Sequence, residues 1–145
     1  MILRIIIKIK SKRKKMRELK YSKQREAIVE CLKNRHDHPS ADLVFQSLRK
    51  DNPKISLGTV YRNLNLLTEM GVILKISCGD GIERYDYNTH EHYHFVCKSC
   101  GNVADLEPKD SWVDNSLVDE SVGVADSHSL IFYGICSHCA AKHTH

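Results

Sequence analysis

With 145 residues and 41% hydrophobic content, the chain has material for one ordinary domain or two small ones, each of the latter with little to bury. No apolar run reaches the ~18 residues of a membrane span. Six cysteines without a secretory leader point to a reducing, cytoplasmic setting, in which thiols bind metal or react rather than pair. The net charge of +4 is unevenly spread. Residues 1–15 carry seven basic side chains and no acid, residues 16–87 carry 12 basic and 10 acidic, and residues 88–145 carry 3 basic and 8 acidic. The first half suits a polyanion and the second suits cations.

Residues 1–15 read either as a basic arm or as an extension upstream of a start at Met16, and no function is placed on them. Residues 16–87 read as one domain. Ser22 caps a helix over about 23–34, with Ala27, Ile28, Cys31 and Leu32 on its apolar face. After a loop closing on Pro39, Ser40 caps a second helix with apolar bulk from Leu43, Val44, Phe45 and Leu48, ended by Asp51-Asn52-Pro53.

Ser56 caps a third helix, stopped by Gly71, whose buried stripe is Leu57, Val60, Leu64 and Leu67. Ser56, Thr59, Tyr61, Arg62 and Asn63 are left for its cap and polar face, which has no acid before Glu69. Such a face suits phosphate and base-edge contacts with double-stranded DNA; the alternative is an ordinary bundle helix. Val72–Ile76 and Glu83–Tyr87 form a hairpin around Gly79-Asp80-Gly81. Three helices and a hairpin make a winged helix-turn-helix.

Residues 88–91 read as a linker and residues 92–145 as a small α+β domain. Strands fall at about 92–97 and 102–106, a short helix near Lys109–Glu120, and a last strand at Ser129–Ile135. Period-2 alternation puts His92 and His94 on one strand face. Cys97-x-x-Cys100 and Cys136-x-x-Cys139 each follow a strand, as two halves of a structural four-thiolate zinc site. A redox pair is the weaker reading, because no thioredoxin-like βαβ setting surrounds them. The remaining candidates are His38, Asp86, His90, Glu91, His92, His94 and Asp105, whose nitrogen and oxygen donors suit iron, manganese or zinc. Spacing does not decide which of them bind together.

The segments H-P-S-A-D, S-L-G-T-V-Y-R-N-L, R-Y-D, H-Y-H-F-V-C-x-x-C-G and Y-G-I-C-x-x-C resemble the ferric uptake regulator (Fur) family, over about Leu19 to Cys139. The resemblance implies a homodimeric, metal-dependent repressor that binds an inverted-repeat operator. It also implies regulatory ligands His38, Asp86, His92, His94 and Asp105 for Fe2+ or Mn2+, beside Zn2+ at Cys97, Cys100, Cys136 and Cys139. Asp105, where iron-sensing relatives have Glu, is similar to the peroxide-sensing branch. That branch senses peroxide by iron-catalysed oxidation of a histidine ligand, here His92 or His38. Glu91, Tyr93 and Trp112 stand where many iron sensors carry a further metal site, leaving only His128. An iron-responsive repressor without histidine oxidation is the alternative, and a metalloenzyme a more distant one.

Overall fold

Three serine caps set out the first half of the computed structural model, which describes residues 22–107 and 113–142. Ser22 Oγ accepts the Arg25 N–H (3.4 Å) and opens α1 (Lys23–Lys33). Ser40 Oγ accepts the Leu43 N–H (3.4 Å) ahead of α2 (Ala41–Arg49). Ser56 Oγ accepts the Thr59 N–H (3.1 Å) ahead of α3 (Leu57–Glu69). Each cap satisfies a helix-end donor that would otherwise lack a partner. Residues 1–15, read as a basic arm or extension, lie outside the described residues.

The chain divides into two compact units, 1–89 and 90–145. In the first, the inward faces of the three helices close over Ile28, Leu32, Ala41, Val44, Ile55, Val60, Leu64 and Leu67, joined by Ile73 and Tyr85. Leu43 departs from the expectation and is 44% exposed. The stripe of α2 runs instead through Ala41, Val44, Phe45 and Leu48, the spacing of a helix face, and Leu43 falls beside it. Gly71, at φ +71°, turns the chain out of α3 in a conformation costly for other residues. The hairpin is β1 (Leu74–Ser77) antiparallel to β2 (Glu83–Asp86), with Leu74 opposite Asp86. Across its tip the Arg84 guanidinium forks onto both Asp80 oxygens (3.1 and 2.7 Å) and holds that carboxyl down at about 2. The Tyr85 N–H donates to the Pro39 carbonyl (3.0 Å), so the loop before α2 is stitched to the hairpin. This is a winged helix.

The second unit is a three-stranded sheet in the order β4-β3-β5. Its central strand β3 (Tyr93–Cys97) pairs antiparallel with β4 (Val103–Leu106) and parallel with β5 (Ile131–Gly134). Gly134 lies opposite Cys97, and a Cβ there would sit 3.1 Å from the Phe95 ring, so any larger residue would have to push that ring aside. The helix expected near Lys109–Glu120 is not found among the described residues 113–120, and residues 109–112 lie outside them. A single 3-10 turn, Asn115–Leu117, stands there, capped by Asp114 through the Ser116 N–H (2.6 Å). Asp, Asn and Ser in succession offer the backbone local bonds that compete with a helix. A short helix the sequence reading did not include, α4 (Ser137–Lys142), follows Cys136. No described helix is long and apolar enough to cross a membrane.

Candidate metal centres and DNA-reading face

The pairing of β3 with β5 places the two Cys-x-x-Cys turns side by side, since Cys97 lies opposite Gly134 and the Lys98 N–H donates to the Gly134 carbonyl (2.7 Å). The sulfurs of Cys97, Cys100, Cys136 and Cys139 all lie within 4.8 Å of one another, and none of the six cysteines is in a disulfide. Cys100 Sγ and Cys136 Sγ are 3.9 Å apart. Zn–S bonds of about 2.3 Å in a tetrahedron put sulfurs roughly 3.8 Å apart, so the cluster fits zinc with no position left open. Backbone N–H groups already face the sulfurs: Cys136 to Cys97 (3.3 Å) and Cys139 to Cys136 (3.4 Å). The N–H groups of Cys136 and then Cys100 draw the Cys97 thiol down to about 6, toward the thiolate that binds metal.

Two histidines and a carboxylate meet on the same sheet. His94 on β3 is paired in register with Asp105 on β4. His94 Nε2 lies 3.5 Å from Asp105 Oδ1, and His92 Nε2 lies 3.1 Å from the same oxygen. The two rings pack edge to face with centroids 4.6 Å apart. His92 Nδ1 is 2.7 Å from the His90 carbonyl, which accepts its proton, so Nε2 is the ring nitrogen that faces Asp105. Both imidazoles are buried, whereas Asp105 is partly exposed.

The first unit carries a smaller pair. His38 Nε2 faces Asp86 Oδ2 at 3.4 Å, and both side chains are buried. Asp86 ends β2, and its Oδ1 accepts the Asn88 N–H (2.8 Å), leaving Oδ2 for His38. His38 reaches this position with φ at +48°, among the described residues the one non-glycine with positive φ. Backbone of that kind costs on the order of 1–3 kcal/mol and persists where the surroundings dictate it.

On α3 the polar residues divide. Ser56 Oγ, Thr59 Oγ1 and the Arg62 guanidinium form one exposed cluster, with Ser56 and Thr59 2.9 Å apart and Arg62 3.2 Å from Thr59. Tyr61 is exposed and its hydroxyl donates to Asp42 on α2 (3.3 Å). Asn63 turns back, donating to the Thr59 carbonyl (2.9 Å), and is half-buried.

The chain matches the ferric uptake regulator family over residues 16–133. It belongs to that family. It is similar to the peroxide-responsive repressor PerR of Staphylococcus aureus strain Mu50, at 34% identity over 125 residues, 86% of this chain and 84% of that protein. Among solved structures it resembles the Campylobacter jejuni peroxide stress regulator, at 35% identity and a TM-score of 0.69, covering 80% of this chain and 88% of that one. It also resembles the Helicobacter pylori ferric uptake regulator, described as having three functional metal-binding sites. There the identity is 27% and the TM-score 0.72, covering 91% and 93% of the two chains.

As a transcription regulator of the Fur family, the protein has one sulfur cluster and a set of imidazole–carboxylate donors for metal. Around His128, left over in the sequence reading, hydrogen bonding takes up both ring nitrogens. Its Nε2 is 3.3 Å from the Tyr93 hydroxyl and 3.2 Å from Glu91, and its Nδ1 is 2.9 Å from Asn115 Oδ1. The bonds that shape the His38 loop leave no signature in the sequence. Arg35 carries them, and in sequence it was one more basic residue at a helix end.

Proposed function

We propose that this regulator is a DNA-binding repressor that senses peroxide through one regulatory ion, Fe2+ or Mn2+, held by His38, Asp86, His92, His94 and Asp105. The observation that carries this reading is that each unit presents an incomplete donor set. The first unit offers one imidazole and one carboxylate, and the second offers two imidazoles and one carboxylate. Neither set fills the octahedron that iron or manganese adopts with such donors, and five ligands leave one position for peroxide. Zinc takes the four thiols, whose closed tetrahedron leaves it structural.

Ferrous iron held by the five ligand residues would supply the one-electron chemistry that opens the O–O bond of peroxide. In the net change one peroxide is the two-electron oxidant: one of its oxygens would enter a ring C–H bond of His92 or His38 and the other would leave as water. The altered ring would lose its grip as a ligand, and the DNA-binding unit would no longer be held in its operator-binding pose. The protein is consumed as a sensor and does not act as an enzyme. Thiol oxidation is a poorer route: Cys78 is buried and its thiol is pushed up by that burial. Similarity to the S. aureus peroxide-responsive repressor and the C. jejuni peroxide stress regulator supports this branch, as does aspartate at position 105.

Reading of double-stranded DNA falls to α3, with Tyr61 and Arg62 toward the bases, Ser56 or Thr59 near phosphate, and Asn63 beside them. A homodimer on an inverted-repeat operator in the cytoplasm completes the proposal. It is supported by edge strand β5, where Phe132 and Tyr133 are 45% and 49% exposed. The test uses a duplex selected from random DNA by the manganese-loaded protein. Iron-loaded protein releases this duplex after low peroxide, and manganese-loaded protein stays bound. Equal retention by both forms would favour iron sensing without histidine oxidation, the reading that similarity to the H. pylori regulator supports.

A further inference from the structure

The loop between α1 and α2 holds His38 in a conformation that the chain disfavours twice over. A residue with a Cβ seldom takes positive φ, and a residue before proline is steered toward extended backbone. His38 is both, at φ +48° and followed by the buried Pro39. On its C-terminal side the loop is fixed by the Pro39 carbonyl, which accepts the Tyr85 N–H (3.0 Å) one residue before Asp86. On its N-terminal side it is fixed by a side chain. Arg35 Nε donates to Asp37 Oδ1 (2.8 Å) and Nη2 to Asp37 Oδ2, while Nη1 donates to Ser47 Oγ (3.0 Å). Ser47 in turn donates to the Leu43 carbonyl on α2 (2.9 Å), which leaves its lone pair toward Arg35. Loop and helix are thereby joined through one half-buried guanidinium.

We propose that Arg35 is a positioning residue for metal sensing: by clamping Asp37 to α2 it holds His38 in the left-handed conformation that aims its imidazole at Asp86. The inference rests on reading His38 and Asp86 as ligands. The planar fork matters because it fixes the orientation of the Asp37 carboxylate as well as its distance, and a lysine ammonium would fix distance alone. Without the clamp, the loop relaxes toward the extended conformation that Pro39 favours, and the imidazole must be brought back each time metal binds.

The experiment titrates Mn2+ into the full-length, zinc-containing protein and follows binding of the selected duplex by fluorescence anisotropy. Arg35→Lys and Asp37→Asn should each raise the Mn2+ concentration for half-maximal binding about 10-fold, in the range found when groups that orient metal ligands are removed. Affinity for the duplex at saturating Mn2+ should stay at the wild-type value. Combining both substitutions should shift the midpoint no further than the larger single change, because the pair acts as one unit. His38→Ala separates the two levels of the account. A normal Mn2+ response in His38→Ala removes the ligand reading on which the proposal rests. Loss of response in His38→Ala with wild-type midpoints in Arg35→Lys and Asp37→Asn overturns the clamp alone. Weakened duplex binding at saturating Mn2+, with additive effects in the double variant, would also overturn it, since that is what a general loss of fold produces.

Discussion

The two units of this regulator are held together by different physics. The winged-helix unit closes over ten buried apolar side chains contributed by three helices, the hairpin and the segments that join them. Among the described residues, the hydrophobic side chains the sheet unit buries are Tyr93, Val96 and Val103 with two of its own zinc-cluster cysteines, Cys97 and Cys139. Hydrocarbon removed from water stabilises by about 25 cal/mol per Å2, so a core of that first size sustains a small domain and the second falls short. A bound zinc ion contributes on the order of 10–16 kcal/mol of apparent free energy at such thiol sites, and here that would be folding energy. One half of the molecule is folded by its side chains alone, and the other is completed by an ion.

The largest expected effect breaks that contrast directly. Cys97→Ser, or zinc removal by a chelator, should melt the sheet unit and abolish the dimer while the helical unit keeps its circular-dichroism signal and cooperative transition. A zinc-free variant that remains a folded dimer would remove the contrast. Leu64→Ala should do the reverse at smaller scale. It deletes a fully buried side chain from the helical core, costs about 2–5 kcal/mol in that unit's unfolding, and leaves zinc content unchanged. Smaller again, Arg62→Ala should weaken operator binding by about 1–3 kcal/mol and relax sequence preference, with both unfolding transitions intact. Unchanged affinity in a folded Arg62→Ala protein would turn the reading face of α3 elsewhere.

The same contrast explains what the sequence made legible. The helical unit is built from local signals, a serine ahead of each helix and apolar residues at helical spacing, so α1, α2 and α3 start where the caps predict. Leu43 misled because apolar character alone does not say which side of a helix faces inward. In the sheet unit the paired Cys-x-x-Cys motifs were plain because metal spacing is itself local. The turn at Asn115–Leu117 was not, because the Asp114 carboxylate takes the Ser116 N–H and closes a local turn there in preference to a helix. Nor was α4, which begins inside the second thiol motif and is six residues long. His92, His94 and Asp105 were each visible as donors, yet their meeting depends on the β3–β4 register, which a sequence does not print. The Arg35 clamp was least legible. It depends on a guanidinium reaching Ser47 twelve residues away, and on the positive φ of a single histidine.

The central claim is that a histidine ligand records peroxide. Peptide mass spectrometry of the iron-loaded, zinc-containing protein before and after low peroxide tests it most directly. The account predicts one added oxygen atom on His92 or His38, rising in step with loss of operator binding and absent from the manganese-loaded protein. Loss of operator binding with both histidines unmodified would contradict it.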